Sequence, residues 1–146
     1  NFLLTILRLA KERDELRIVD DQIGAPTWSR MIAEVSAQIL AQSVSPLTAD
    51  RAPLTAVSGI YNLTAAGQTS WYGFTKAILE SMAIQGAHPS PITHHPLPKL
   101  LPIPTSDYPL PAPRPLFSLL ASDKLTGTFG VKLPPWNDSL ALCMDR

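Results

Sequence analysis

The sequence predicts an α/β fold, α+β-like within this stretch, with few short strands packed against about five helices. Three observations carry that reading. Apolar residues recur at spacings of three and four in several segments, as one face of a helix requires. Only short branched runs alternate in the manner of strands. Between them stand clusters of Gly, Pro, Asp and Ser that break both patterns. At 146 residues with 45% apolar side chains, the chain is long enough for a real core.

Residues 2–15 read as the first helix, with Leu3, Ile6, Leu7 and Ala10 on one side and Arg8, Lys11, Glu12 and Asp14 on the other. Leu16-Arg17-Ile18-Val19 reads as a strand, and residues 20–27 as a loop punctuated by Gly24 and Pro26. Pro26 pushes Ala25 away from helix, and Thr27 is placed to cap a helix over 28–42. That helix would turn Trp28, Ile32, Val35 and Ile39 inward. Residues 43–58 form a turn-rich connection, and Gly59-Ile60-Tyr61-Asn62-Leu63 is a second strand candidate. Thr69 or Ser70 then caps a helix to about Ala83 carrying Trp71, Phe74, Ile78 and Met82, with Gly86 as its stop. From Pro89 to Pro115 there are ten prolines in 27 residues, which forbids helix or a central strand. Leu100 to Pro104 fits an extended edge strand lying across the body. A short helix from Ser122 buries Leu125 and Phe129 and stops at Gly130. A last one from Pro134-Pro135 carries Trp136, Leu140 and Met144.

Twelve basic and twelve acidic residues leave no basic footprint, so nucleic acid is not the expected partner. No run of about 18 apolar residues occurs, so no membrane-spanning helix is expected. The lone Cys143 excludes an internal disulfide and suits the cytoplasm. A zinc site would need Cys143 with His88, His94 and His95; the last two are adjacent among prolines, and no metal site is expected. Asn1 opens directly into an apolar helix pattern with no leader-like flank, which reads as a chain cut from something longer.

No Gly-x-Gly pair is present, so there is neither a dinucleotide fingerprint nor a phosphate-binding P-loop, and no cofactor site is expected in this stretch. No catalytic residue is assigned. Tyr72 and Lys76 stand four apart, a spacing that can lower a tyrosine's pKa. With nothing upstream to hold a cofactor, they read as a surface lysine beside a partly packed tyrosine.

Two features could serve a ligand. In Asp20-Asp21-Gln22-Ile23-Gly24-Ala25-Pro26-Thr27, a strand end, a glycine, a rigid proline and a threonine precede a helix, which is how α/β folds present polar groups and a phosphate-favouring amino end. Closure of a turn by Asp21 and Gln22 explains the same residues equally well. Arg114 lies between Pro113 and Pro115, which fix the backbone and lower the cost of presenting a guanidinium to a phosphate. An ion pair with an acidic neighbour is the competing explanation. His88, His94 and His95 read as exposed loop residues, and Trp28, Trp71 and Trp136 as core.

Taken in order, the segments carry a resemblance. Asn1-Phe2 with Leu9-Ala10-Lys11-Glu12-Arg13, Asp21 to Thr27, and Gly59 to Gly67 with Ser70-Trp71-Tyr72-Gly73 resemble the dTDP-4-dehydrorhamnose reductase family. So do Pro102 to Thr105, Arg114-Pro115, Ser118, Lys124-Leu125, Phe129-Gly130-Val131 and Leu133 to Trp136. The resemblance covers the family's carboxy-terminal half alone. It implies the substrate-binding part of a Rossmann-type, extended short-chain reductase. That enzyme reduces dTDP-4-dehydro-L-rhamnose to dTDP-L-rhamnose with NADPH or NADH, in dTDP-rhamnose and cell-surface polysaccharide biosynthesis.

By the same resemblance, residues 1–15 are the last helix region of a truncated Rossmann domain and residues 16–146 the substrate-binding domain. The catalytic Thr, Tyr and Lys and the cofactor site would precede Asn1, so the chain alone is expected to be inactive. The expected partners are a dTDP-sugar, the amino-terminal Rossmann domain and a second copy in a homodimer. Substrate-binding residues carried over are Asn1, Gln22, Gly24, Pro26, Thr27 and Arg114. Phe117 lacks the hydroxyl or polar group that some relatives have there. The alternative is a non-catalytic subunit of the same fold, like the regulatory subunit of methionine adenosyltransferase. A proline-rich docking ligand for an SH3-like partner fits poorly, since no clean basic-flanked Pro-x-x-Pro core is present.

Overall fold

A computed structural model describes residues 1–44, 57–86, 97–109 and 111–145. Helix α1 (Phe2–Glu12) leads into strand β1 (Glu15–Val19), followed by the two-residue strand β2 (Ile23–Gly24) and helix α2 (Ser29–Val44). Strand β3 (Thr69–Ser70) runs directly into α3 (Trp71–Gly86). Strand β4 (Lys99–Ile103), α4 (Asp123–Phe129) and α5 (Trp136–Met144) complete the order. β1 pairs with β4 in parallel, Leu16 opposite Leu100 and Ile18 opposite Pro102. β2 pairs antiparallel with β3, Ile23 opposite Ser70.

The expected fold class, few short strands among five helices, is what the described residues form. The first helix stops three residues short of the expected end. Arg13 is already extended at φ −131° and ψ 141°, and the Asp14 carbonyl accepts from Lys99 N at 2.8 Å. No apolar residue follows Ala10 on the helix's inner face until Leu16, which is buried through the sheet instead. The proline-rich segment does supply an edge strand: Pro102 sits in β4, where a two-stranded sheet tolerates a missing donor.

The second strand candidate is corrected. Residues 59–63 form no strand; the bonds seen there run between a side chain and a carbonyl rather than along a ladder. Lys124 Nζ donates to the Ile60 carbonyl and Asn62 Nδ2 to that of Ala121, both at 3.0 Å. A single bridge, Ala66 to Pro135, closes that stretch.

Two apolar clusters hold the fold. Ile6 and Ala10 of α1 meet Ile78 and Leu79 of α3 and Leu140 of α5, with Phe74, Met82, Trp136 and Met144 packed around them. Val35 of α2 meets Leu125 of α4, Val131 and Leu133, with Met31, Ile39 and Phe129 alongside. The inner face of α2 is therefore Met31–Val35–Ile39, one helical turn apart each. Ile32, expected inside, is 37% exposed. Gly130 ends α4 in the left-handed region at φ 66°, where glycine has no steric penalty. The expected connection over 43–58 lies outside the described residues at 45–56, as do His88, His94 and His95 and the prolines at 89, 91 and 96.

Candidate functional site

The loop after β1 is built by two adjacent aspartates. Asp20 accepts from the Ser70 hydroxyl, which in turn accepts from Gly73 N at 2.9 Å and so caps α3. This ties the end of β1 to the start of α3. Asp21 takes the opposite direction: Thr105 N reaches both carboxylate oxygens at 3.0 Å and Thr105 Oγ1 reaches Oδ1 at 2.5 Å. Those bonds, the hydroxyl's first, hold the exposed Asp21 carboxyl below its ordinary pKa.

Beyond the aspartates the chain meets a third segment. Ile23 N donates to the Leu116 carbonyl at 2.8 Å, and Ser118 N returns to that of Ile23 at 2.9 Å. A Cβ on Gly24 would stand 2.9 Å from Ser118 Oγ, so a larger residue there would have to turn the Ser118 hydroxyl away from the Ile23 carbonyl it bonds. Thr27, expected to cap α2, uses its hydroxyl elsewhere. It donates to the Ala25 carbonyl at 3.0 Å or meets Thr64 Oγ1 at 3.2 Å, and it accepts from Ala65 N at 3.1 Å. Thr27 thus stitches the loop to residues 64–65.

These contacts surround a cleft of about 470 Å³, within the range that small-molecule sites occupy. Gln22, Gly24, Pro26, Thr27 and Arg114 all line it. Arg114 is the one charged side chain among the described residues of that lining. No carboxylate among the described residues lies within ion-pair distance of it, so the competing ion-pair explanation finds no partner there. A second, more apolar trough of about 660 Å³ runs along α1 and β1 past Phe2, Leu9 and Ile18. The two share Gln22, Trp71 and Arg114 at their junction.

Asn1 is not among the residues lining either cavity. Its Oδ1 accepts from Leu4 N at 3.0 Å and caps α1. Trp71 is corrected as a core residue: it is 40% exposed, its ring 4.6 Å from that of Phe2. As the first residue of α3 it precedes the turn that would bury it, and that position after the Ser70 cap was the signal available. Trp136 does pack on the core, edge-on to Phe74. Tyr72 is half-buried and Lys76 is exposed, 4.0 Å from Glu80. Phe117 is 63% exposed and meets the loop through a bridge to Ile23.

Residues 1–146 match the RmlD substrate binding domain. The chain belongs to that family. It is 48% identical over 145 residues to a dTDP-4-dehydrorhamnose reductase of Burkholderia thailandensis, covering 99% of this chain and 46% of the relative. It is 37% identical over 136 residues to the Escherichia coli K12 protein of the same name, covering 93% and 41%. A crystal structure of a Clostridium acetobutylicum dTDP-4-dehydrorhamnose reductase superposes with a TM-score of 0.77 at 29% identity, over 99% of this chain and 43% of the other. One from Bacillus anthracis in complex with NADP gives 0.73 at 26%, over 96% and 41%. The chain thus spans less than half the length of these relatives. Trp71, Thr64 and Ser118 also line the cleft of this RmlD substrate-binding domain and Thr105 braces its loop through Asp21; sequence reasoning singled out none of these four for a ligand. Thr105 and Ser118 lay inside the family-like segments, but nothing in their local spacing indicated a role.

The strand that runs straight into a helix is β3 into α3, and there Gly73 N is already bonded to Ser70. The space a Cβ of Gly73 would take is filled by Thr69 Oγ1. No helix among the described residues is long and apolar enough to cross a membrane.

Proposed function

We propose that this chain is the sugar-nucleotide-binding part of a cytoplasmic dTDP-4-dehydrorhamnose reductase. The observation that carries the reading is the cleft in which Arg114, without an ion-pair partner among the described residues, stands with Gln22, Thr27 and the exposed ring of Trp71. A guanidinium held between prolines suits a diphosphate, because its planar donors reach two oxygens at once. Trp71 offers an aromatic face for a base or a sugar ring. The surrounding threonine and serine hydroxyls suit the hydroxyls of a hexose.

Hydride transfer, in this reading, belongs to a Rossmann domain outside residues 16–146, with residues 1–15 as its last helix region. The apolar trough along α1 and β1 is the surface assigned to that domain. Nicotinamide chemistry is supplied there, and this chain's residues bind and orient the sugar nucleotide. The reductase names of the relatives support this over a regulatory subunit of the same fold.

The test joins the chain to the amino-terminal domain and measures NADPH oxidation with dTDP-4-dehydrorhamnose. Activity is expected for the joined protein and none for residues 1–146 alone. Arg114→Ala in the joined protein should raise KM about tenfold, equivalent to about 1.4 kcal/mol. An unchanged KM removes Arg114 from the site.

A further inference from the structure

We infer that Asp21 and Thr105 are positioning residues that fix the Gln22 amide in one orientation, so that the cleft presents an acceptor, Gln22 Oε1, to a ligand hydroxyl. The inference rests on the proposed sugar-nucleotide site and adds which hydrogen-bonding partner that site selects at Gln22.

The direction of each bond follows from the chemistry of the groups. An ionised carboxylate has no proton to give, so both Thr105 N and Thr105 Oγ1 must donate to Asp21. The lowered pKa of Asp21 keeps it ionised at neutral pH. A threonine hydroxyl has one proton, and here it is spent on Asp21. Thr105 Oγ1 can therefore only accept from Gln22, and it does so from Nε2 at 3.1 Å. An amide held by its nitrogen leaves its carbonyl oxygen for other partners. Among the described residues Oε1 accepts no hydrogen bond, while Gln22 lines both cavities at their junction.

The relay also spans the fold. Asp21 and Gln22 follow β1, whereas Thr105 opens the 3-10 turn Thr105–Asp107 after β4, 83 and 84 residues away in sequence. The parallel pairing of β1 and β4 ends with Val19 opposite Ile103, which brings the two segments together. A site acceptor whose orientation is set by a carboxylate two bonds away discriminates by the penalty of an unmet polar group. A ligand with an acceptor at that point would face Oε1 without a proton between them. The hydroxyl could come from the hexose or from the nucleoside.

The experiment measures binding of dTDP-L-rhamnose and of dTDP to the full-length reductase by titration calorimetry. Thr105→Val removes the hydroxyl and keeps the shape. It should weaken binding about fivefold, the effect of one neutral hydrogen bond. Thr105→Ser should restore it. In a Gln22→Ala background, Thr105→Val should have no further effect, since its action runs through Gln22. Loss with both ligands places the hydroxyl on the nucleoside, and loss with dTDP-L-rhamnose alone places it on the hexose; either supports the inference. Wild-type affinity in Thr105→Val, or the same loss with Gln22 already removed, would overturn it while the functional reading stands. Wild-type protein that binds neither ligand would overturn both.

Discussion

Asp20 and Asp21 leave the same strand in opposite directions, and each takes one hydroxyl partner far away in sequence. Such pairs are individually modest, yet they decide where neighbouring side chains stand. Asp21 also gives the site a pH signature. Its pKa in the folded protein lies below the ordinary value, so its contribution is fully present above about pH 4 and is lost as pH falls through the folded pKa. A titration followed by NMR should show the Thr105 amide shifting with a midpoint below that of an ordinary aspartate. A midpoint at or above the ordinary value would mean that the Asp21–Thr105 bonds do not persist in solution.

At the scale of elements, α3 organises the molecule. It packs against α1, α5 and both strands of the parallel pair, and its amino end forms one wall of the cleft. Ser70 holds that end in place by capping Gly73 N while donating to Asp20. Ser70→Ala should therefore cost about 1 kcal/mol of stability, the usual loss for an N-cap, measured as a drop in the denaturant midpoint. No change in midpoint would show that the cap is replaced by water. The short α4 is set differently: its stop at Gly130 and its buried Leu125 are local matters. Both were legible in sequence because they need only a glycine and one inward position.

The molecule as a whole rests on two clusters bridged by the cleft-forming loops. Ile78 is fully buried in the first, with α1, α3 and α5 contributing to it. Ile78→Ala should cost about 2–5 kcal/mol, the range for emptying a packed core position, and lower the melting temperature. A loss under about 1 kcal/mol would mean that the helices close around the gap. Ile78→Val, one methyl smaller, should cost less, about 0.5–1.5 kcal/mol. The sheets contribute less: two parallel strands and a two-residue antiparallel pair cannot form a core without the helices laid on them.

Helix placement, the stop at Gly130, the edge strand through Pro102 and the breaks at Gly24 and Pro26 could all be read from local pattern, whereas the pairing of Ile23–Gly24 with β3 inside the expected loop 20–27 could not. Each of the features so read depends on the period of apolar residues or on the backbone limits of glycine and proline, which a few neighbours settle. Other features needed the chain to be folded. Residues 59–63 look like a strand, but Lys124 and Asn62 satisfy their neighbourhood instead of a ladder. Thr27 looks like a cap and is a stitch to residues 64–65, and Trp71 looks like core and lines the cleft. The Asp21–Thr105–Gln22 relay joins positions more than 80 residues apart. Such pairings arise only when long-range packing brings two polar groups together, and no spacing along the chain encodes that distance.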